Sequence, residues 1–179
     1  IGLIGGLIVP AFTRSSLRHI APERSLAPDR PLRDHPIAGR LAALATAAAL
    51  LLLSAGHEAE AGLALLVAGA LHLLRLSRWR MAAIAGETDI LMMQTAFALL
   101  AFGEIIVGTA LIRPDVLAVR NAVHMLTMGA MGGMILAIAC RPLLPRARGK
   151  LQSTRGIELA FVLICAGALV RVFLPDAEM

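Results

Sequence analysis

Between Arg120 and Arg141 runs NAVHMLTMGAMGGMILAIAC, twenty residues without a charge. At about 1.5 Å of rise per residue such a run is ~30 Å long, the thickness of a hydrocarbon core, so it predicts a membrane-spanning helix. It is not uniformly apolar. Asn121, His124 and Thr127 occupy its first two turns, and Gly129, Gly132 and Gly133 follow. The Gly129-x-x-x-Gly133 spacing puts two glycines on one face, where another helix can approach closely. Asn121, His124 and Met128 lie at i, i+3 and i+7, so on an α-helix they share a face as well. A histidine facing lipid is costly, so His124 is expected to point into a bundle or at a cofactor. Two readings stand side by side: a packed helix whose histidine bonds a neighbouring carbonyl, or a ligand, histidine being the commonest metal ligand. Met125, Met128, Met131 and Met134 recur every third residue and wind around the helix. Thioethers suit Cu(I), and they also fill gaps beside glycines.

The rest of the chain agrees with a membrane setting. Hydrophobic residues make up 58% and charged residues 16%, and mean hydropathy is +0.78; soluble domains have ~45–50% apolar and ~25% charged residues. The expected fold is all-α, a polytopic transmembrane helix bundle that forms a single domain over residues 1–179. Net charge is +5, but the basic residues cluster between apolar spans and make no stripe interleaved with aromatics, which argues against nucleic acid as a partner. The partner is the lipid bilayer. Cys140 and Cys165 form no CxxC pattern and read as small buried hydrophobes.

In order, Ile1–Val9 reads as the tail of a helix whose beginning lies outside this sequence, ended by Pro10. Residues 10–36 read as a basic loop. Complete spans are expected at 37–54, 61–76, 88–112, 121–140 and 156–174. The loops 10–36, 75–80 and 141–155 are rich in arginine, whereas 54–60 has none and 113–120 little. By the positive-inside rule the basic loops are cytoplasmic, and the C-terminal PDAEM lies outside. Short turns make consecutive spans antiparallel neighbours. His72 is expected near the end of its span, snorkelling or capping a neighbour. Gln94 and Glu104 are the polar residues of the third span.

Three stretches carry a family resemblance. Pro10-Ala11-Phe12-Thr13 resembles the P-x-F-T signature of the NnrS family. The run from His124 through Thr127, Gly129, Gly132 and Met134 to Leu136 is similar to its H-x-L-T-x-G-x-x-G-x-M-x-L motif, with Arg141 at the helix exit. The RLSRWR run around Trp79 is similar to an R-L-x-R-W segment between them. Order and separations agree across the whole chain. The resemblance implies a bacterial inner-membrane protein of about a dozen spans, containing haem and copper and linked to nitric oxide stress and denitrification. It implies further that this chain is roughly the C-terminal half and partners the remaining half. Two positions depart from the pattern: Gln94 stands where a histidine is expected in the third span, and Arg146 where a G-H-T-G turn would place another. Haem ligation is thereby directed to His124 and His72, with Met128 joining His124 as a metal ligand, and Asn121, Gln94, Thr127 and Glu104 supporting.

Two functions are expected, the first implied by the resemblance and the second read from the residues. One is a haem- and copper-binding membrane protein that responds to or removes nitric oxide, a small gaseous ligand. The other is a transporter or permease, with Glu104 and His124 lining a polar pathway. One expected pairing bears on both: with a cofactor it would fix the His124 tautomer, without one it would relay protons. Glu104 lies ten positions before Pro114 and His124 ten after it, so in an antiparallel hairpin they sit at one height and are expected to meet. No H-E-x-x-H, phosphate-binding loop or nucleophile elbow is found in the sequence.

Overall fold

The computed structural model describes residues 2–20, 35–79, 81–84, 86–147, 150–151 and 153–174. Most of the expected 10–36 loop, with Arg24, Arg30 and Arg33, lies outside them, as do Arg80, Arg148 and the PDAEM terminus. The elements are helices α1 (Gly2–Ile20), α2 (Pro36–Ser54), α3 (Glu58–Leu76), α4 (Thr88–Ile112), α5 (Val119–His124), α6 (Gly133–Ala139) and α7 (Arg155–Phe173). A π-helical stretch, Met125–Gly132, fuses α5 to α6. Short 3-10 turns occupy Met81–Ile84 and Arg141–Leu143. A minimal antiparallel hairpin sets Arg146 opposite Leu151 and Ala147 opposite Lys150. Among the described residues five helices are long and apolar enough to cross a membrane: α2, α3, α4, the fused Val119–Leu143 helix and α7. The fold is all-α and the protein is a membrane protein, as the sequence predicts.

The central element is α4. Over half of its span, 56%, is buried inside the bundle, against 17% for α2 and for α7. Hydrophobicity cannot single it out, because lipid is as apolar as a packed helix face. Its polar residues do: Asp89, Gln94 and Glu104 are all buried, and such groups need partners that lipid does not offer. The α3 helix packs closely along it. Buried residues on α3 are Ala61, Gly62, Leu65, Ala68, Gly69, His72 and Arg75, a seven-residue repeat that makes one seam. The backbones nearly touch there. A Cβ at Gly62 would stand 2.7 Å from the Gly108 carbonyl oxygen, and one at Gly69 would stand 2.6 Å from the Ala101 carbonyl oxygen.

The first helix does not end at Pro10; it continues to Ile20. Proline at position 10 removes the N–H that would bond the Gly6 carbonyl. Arg75 Nη2 donates to that oxygen at 2.7 Å. The helix runs on because a guanidinium from α3 replaces the missing donor. The sequence places Arg75 at the end of its span and in the basic 75–80 connector, yet it is buried, with its Cζ 5.5 Å from the Trp79 ring centre.

The π-helical stretch changes the faces of the fourth apolar segment. Buried positions are Asn121, Ala122, Met125, Gly129, Ala130, Gly133, Met134 and Ala137, a repeat close to four residues. Its i→i+5 bonds widen the turn, so positions seven apart no longer overlie one another. Met128 rotates away from Asn121 and is 39% exposed. Thr127 is exposed and donates to the Val123 carbonyl at 3.1 Å.

Candidate functional site

The buried polar groups gather on the side of α4 that faces α1, α2 and α3. Glu104 is 2% exposed, and both of its oxygens are engaged. Oε2 lies 2.7 Å from His72 Nδ1, and Oε1 accepts from Thr46 Oγ1 at 2.9 Å. His72 is also 2% exposed, and its ring stands edge-on to Phe97, 5.2 Å between centres. The Trp79 ring lies tilted by 43° against Phe97, 4.6 Å between centres. The far edge of the His72 ring meets α1 at a residue without a side chain. A Cβ on Gly2 would lie 3.5 Å from His72 Nε2.

Nearly three turns from Glu104 along α4, Gln94 is fully buried. Its Nε2 donates to Thr13 Oγ1 at 3.0 Å and to the Trp79 carbonyl at 3.3 Å, while Thr13 donates to Val9 O at 2.8 Å. At the helix start Asp89 pairs with Arg141 at 3.3 Å, and the Arg141 guanidinium lies 4.0 Å over the Phe12 ring. The P-x-F-T stretch, the segment around Trp79 and the arginine after the glycine-rich helix therefore converge on α4. Residues far apart in sequence meet in one interior.

The expected pairing of Glu104 with His124 is corrected: its carboxylate is bonded to His72 and Thr46 instead. Ala101, Glu104 and Gly108 do share a face, but that face meets α3, which precedes α4, and not the helix that follows it. Gly103, on another side of α4, meets the following helix; a Cβ there would lie 2.6 Å from Leu126. Equal height in a hairpin fixes depth, and the close Gly62–Gly108 approach fixes rotation. His124 is half-buried, and no hydrogen bond to it is found among the described residues. Asn121 is buried and Met128 faces outward, so His124 and Met128 are not gathered into one interior donor set. His72, expected to snorkel, is in the core.

Thr46 and Arg75 were missed as site residues. The signal for Arg75 was its place in the seven-residue repeat of α3, three positions after His72. For Thr46 it was the Ala38, Ala42, Ala49 face of α2, on which Thr46 is the one hydroxyl. Among the described residues no three His, Cys, Asp or Glu side chains come together as a metal site.

A family model described as NnrS protein matches residues 1–179. No curated protein and no solved structure gives a significant match.

Proposed function

The chain belongs to the NnrS family, and from that premise we propose that it is a haem-binding protein of the bacterial inner membrane that responds to or removes nitric oxide. The observation that carries the reading is the His72–Glu104 bond of 2.7 Å. A carboxylate on Nδ1 fixes the tautomer with its proton on that nitrogen, orients the ring and leaves Nε2 with the lone pair that a metal takes. The Nε2 edge is covered by the α1 backbone at Gly2, where a Cβ would lie 3.5 Å from that nitrogen. If haem is bound, His72 is the residue of this site that would hold its iron, through Nε2. A bare copper ion needs more donors than one histidine, and the described residues gather no such set; copper is not placed here. When bound, haem would supply an iron able to take a small gas.

The residues of this chain then have distinct roles. His72 would hold the haem iron. Glu104 holds it, and Thr46 holds Glu104. Arg75 ties α1 across the His72 edge through the Gly6 carbonyl. His124 stands as the second candidate ligand, with no partner among the described residues to orient its ring. The arginine asymmetry of the loops 10–36, 75–80 and 141–155 supports a cytoplasmic side for them, carried by Arg78 more than by the buried Arg75.

The test is haem content of the purified protein, read as the Soret band per mole of protein. His72→Ala is expected to lose the haem, and His124→Ala to keep it. Glu104→Gln is expected to retain haem with an altered reduction potential, because the His72 imidazole loses its anionic partner. Full haem in His72→Ala ends the assignment, and loss only in His124→Ala transfers it there. A colourless wild-type protein that moves protons or a small solute in liposomes favours the transporter reading.

A further inference from the structure

We propose that residues 2–9 of α1 are a lid over the His72 ring, hinged at Pro10 and latched by Arg75. The inner face of the lid is made of glycines. Gly2, Gly5 and Gly6 lie on the side of α1 turned to the bundle, while Leu3, Ile4 and Leu7 are exposed. A Cβ on Gly2 would stand 3.4 Å from His72 Cε1 and 3.5 Å from Nε2. One on Gly5 would stand 3.0 Å from Met134 Cε and 3.3 Å from Phe97 Cδ2. The α1 backbone therefore covers the ring edge opposite Glu104. Anything bonded to Nε2 has to occupy the space that Gly2 occupies, so that nitrogen is out of reach until this half of α1 moves.

Pro10 separates two halves of α1 that are held differently. Beyond it, Thr13 accepts from Gln94 Nε2 at 3.0 Å and Phe12 lies under the Arg141 guanidinium at 4.0 Å. Residues 11–20 are thus anchored on α4 and on the helix exit at Arg141. Before it, the helical bond to the Gly6 carbonyl is missing because proline has no N–H, and a helix bends most readily at such a place. Arg75 Nη2 makes up that bond from α3, at 2.7 Å. Its guanidinium is tightly seated: a Cβ on Gly6 would stand 2.6 Å from Nη1, and one on Gly39 of α2 would stand 2.9 Å from Cζ. One cation holds the weak point of α1 against α2 and α3. The glycines of the lid bury no side chains, and Leu3, Ile4 and Leu7 meet lipid whether the segment is closed or swung out, so opening gives up little apolar contact.

What the lid admits rests on the reading of His72 as the residue that would hold haem; the movement itself does not. A ligand that bonds Nε2 fits the open arrangement alone, so it draws the equilibrium towards open, and the Arg75 bond sets how firmly the empty protein stays closed. Glu104 holds the ring by its Nδ1 edge and is itself held by Thr46. Neither contact involves α1, so opening uncovers an imidazole that is already oriented.

Distances between spin labels, measured by pulsed electron resonance on the full chain in lipid bilayers, test the motion with or without haem. Cys140→Ser and Cys165→Ser remove the native thiols. Labels go to Leu3 on the lid and Leu63 on α3, both exposed. A reference pair carries its first label at Arg18, in the anchored half. Arg75→Met is expected to raise the ratio of a longer Leu3–Leu63 distance to the closed one by about tenfold, as loss of one buried hydrogen bond does. Gly6→Ala breaks the latch from the α1 side with the cation still in place and is expected to act in the same direction, so the test holds even where Arg75→Met does not fold. Pro10→Ala returns the N–H and is expected to abolish the longer distance. The reference pair is expected to stay unchanged. One distance shared by wild type, Gly6→Ala and Pro10→Ala, or a reference pair that moves with the lid, would overturn the proposal. Haem content tests the other reading separately: full haem in His72→Ala, with the longer distance still governed by Gly6 and Pro10, upholds the lid and removes haem as what it admits.

Discussion

Two histidines in this bundle sit in similar sequence surroundings and have opposite structural fates. His72 and His124 each lie in an apolar span with glycines nearby. His72 is 2% exposed, bonded to Glu104 and packed on Phe97. His124 is half-buried at the start of a π-helical stretch with no bonded partner among the described residues. The difference comes from the neighbours. The α3–α4 seam is brought together by Gly62, Gly69 and Gly108 until backbones nearly touch, so a side chain in it has no route to water or headgroups and must be satisfied within. The π-helical stretch has glycines too, but with more room around them: a Cβ on Gly132 would meet Ile164 at 3.5 Å, an ordinary contact. Glycine spacing alone does not measure closeness; what lies opposite does.

The sharpest way to break this contrast is to remove the carboxyl. Glu104→Ala leaves a buried histidine and a hydroxyl without their partner and is expected to cost about 3 kcal/mol or more, as loss of one member of a buried pair does. His124→Ala should cost well under about 1 kcal/mol, since membrane hydrogen bonds average about 0.6 kcal/mol and it has none to lose. Reversible unfolding in mixed detergent micelles measures both, and equal losses would erase the distinction between the two histidines.

A second contrast sets glycine against glycine. Gly62→Ala and Gly108→Ala each push a Cβ to 2.7 Å from the other's carbonyl oxygen, and overpacking of this kind costs about 1–3 kcal/mol. Gly132→Ala is expected to be neutral or slightly stabilising, because alanine favours helix by up to about 1 kcal/mol over glycine. The same unfolding assay ranks them; a Gly132 variant worse than Gly62→Ala would reverse the account.

Arg75 tests the α1 side of the seam. Arg75→Met removes the donor to the Gly6 carbonyl, and the expected loss is about 1–3 kcal/mol for an acceptor left buried and unbonded. Combining it with Pro10→Ala, which returns an N–H to that carbonyl, should recover part of the loss. No recovery in the double variant would mean that Arg75 serves α1 in some other way.

The smallest effect belongs to the turn after α4. Arg113 donates to both Asp115 oxygens, at 3.0 and 2.9 Å, and the guanidinium holds the Asp115 carboxyl below the usual carboxylate range. With the folded value depressed, the pair contributes above the ordinary aspartate pKa, and the contribution is lost as pH falls through the lowered one. Both residues are exposed, so water screens the interaction. Asp115→Asn is expected to leave the melting temperature unchanged at neutral pH; a clear drop would make the turn a structural clamp.

Much of this architecture was legible in the sequence. Spans at 37–54, 61–76, 88–112 and 156–174 agree with α2, α3, α4 and α7 to within three residues at either end, because the length of an apolar run and the arginines bounding it are local properties. The polar residues of the third span announced a buried helix for the same reason: lipid offers no hydrogen bonds. Ala101, Glu104 and Gly108 lie on one face because helical period is fixed by the backbone. What the sequence could not decide was which helix that face meets. Glu104 was legible and its partner was not, because α4 has a neighbour on either side in the chain and an apolar surface in a membrane does not choose between them. The choice was made by shape. Gly62 and Gly69 let α3 approach until His72 reached Glu104, and Arg75 carried α1 past Pro10 by supplying a donor from another helix. The turn-widening at Met125–Gly132 rotated Met128 outward. Those outcomes depend on atoms distant in sequence and close in space, which is why only the tertiary structure decided them.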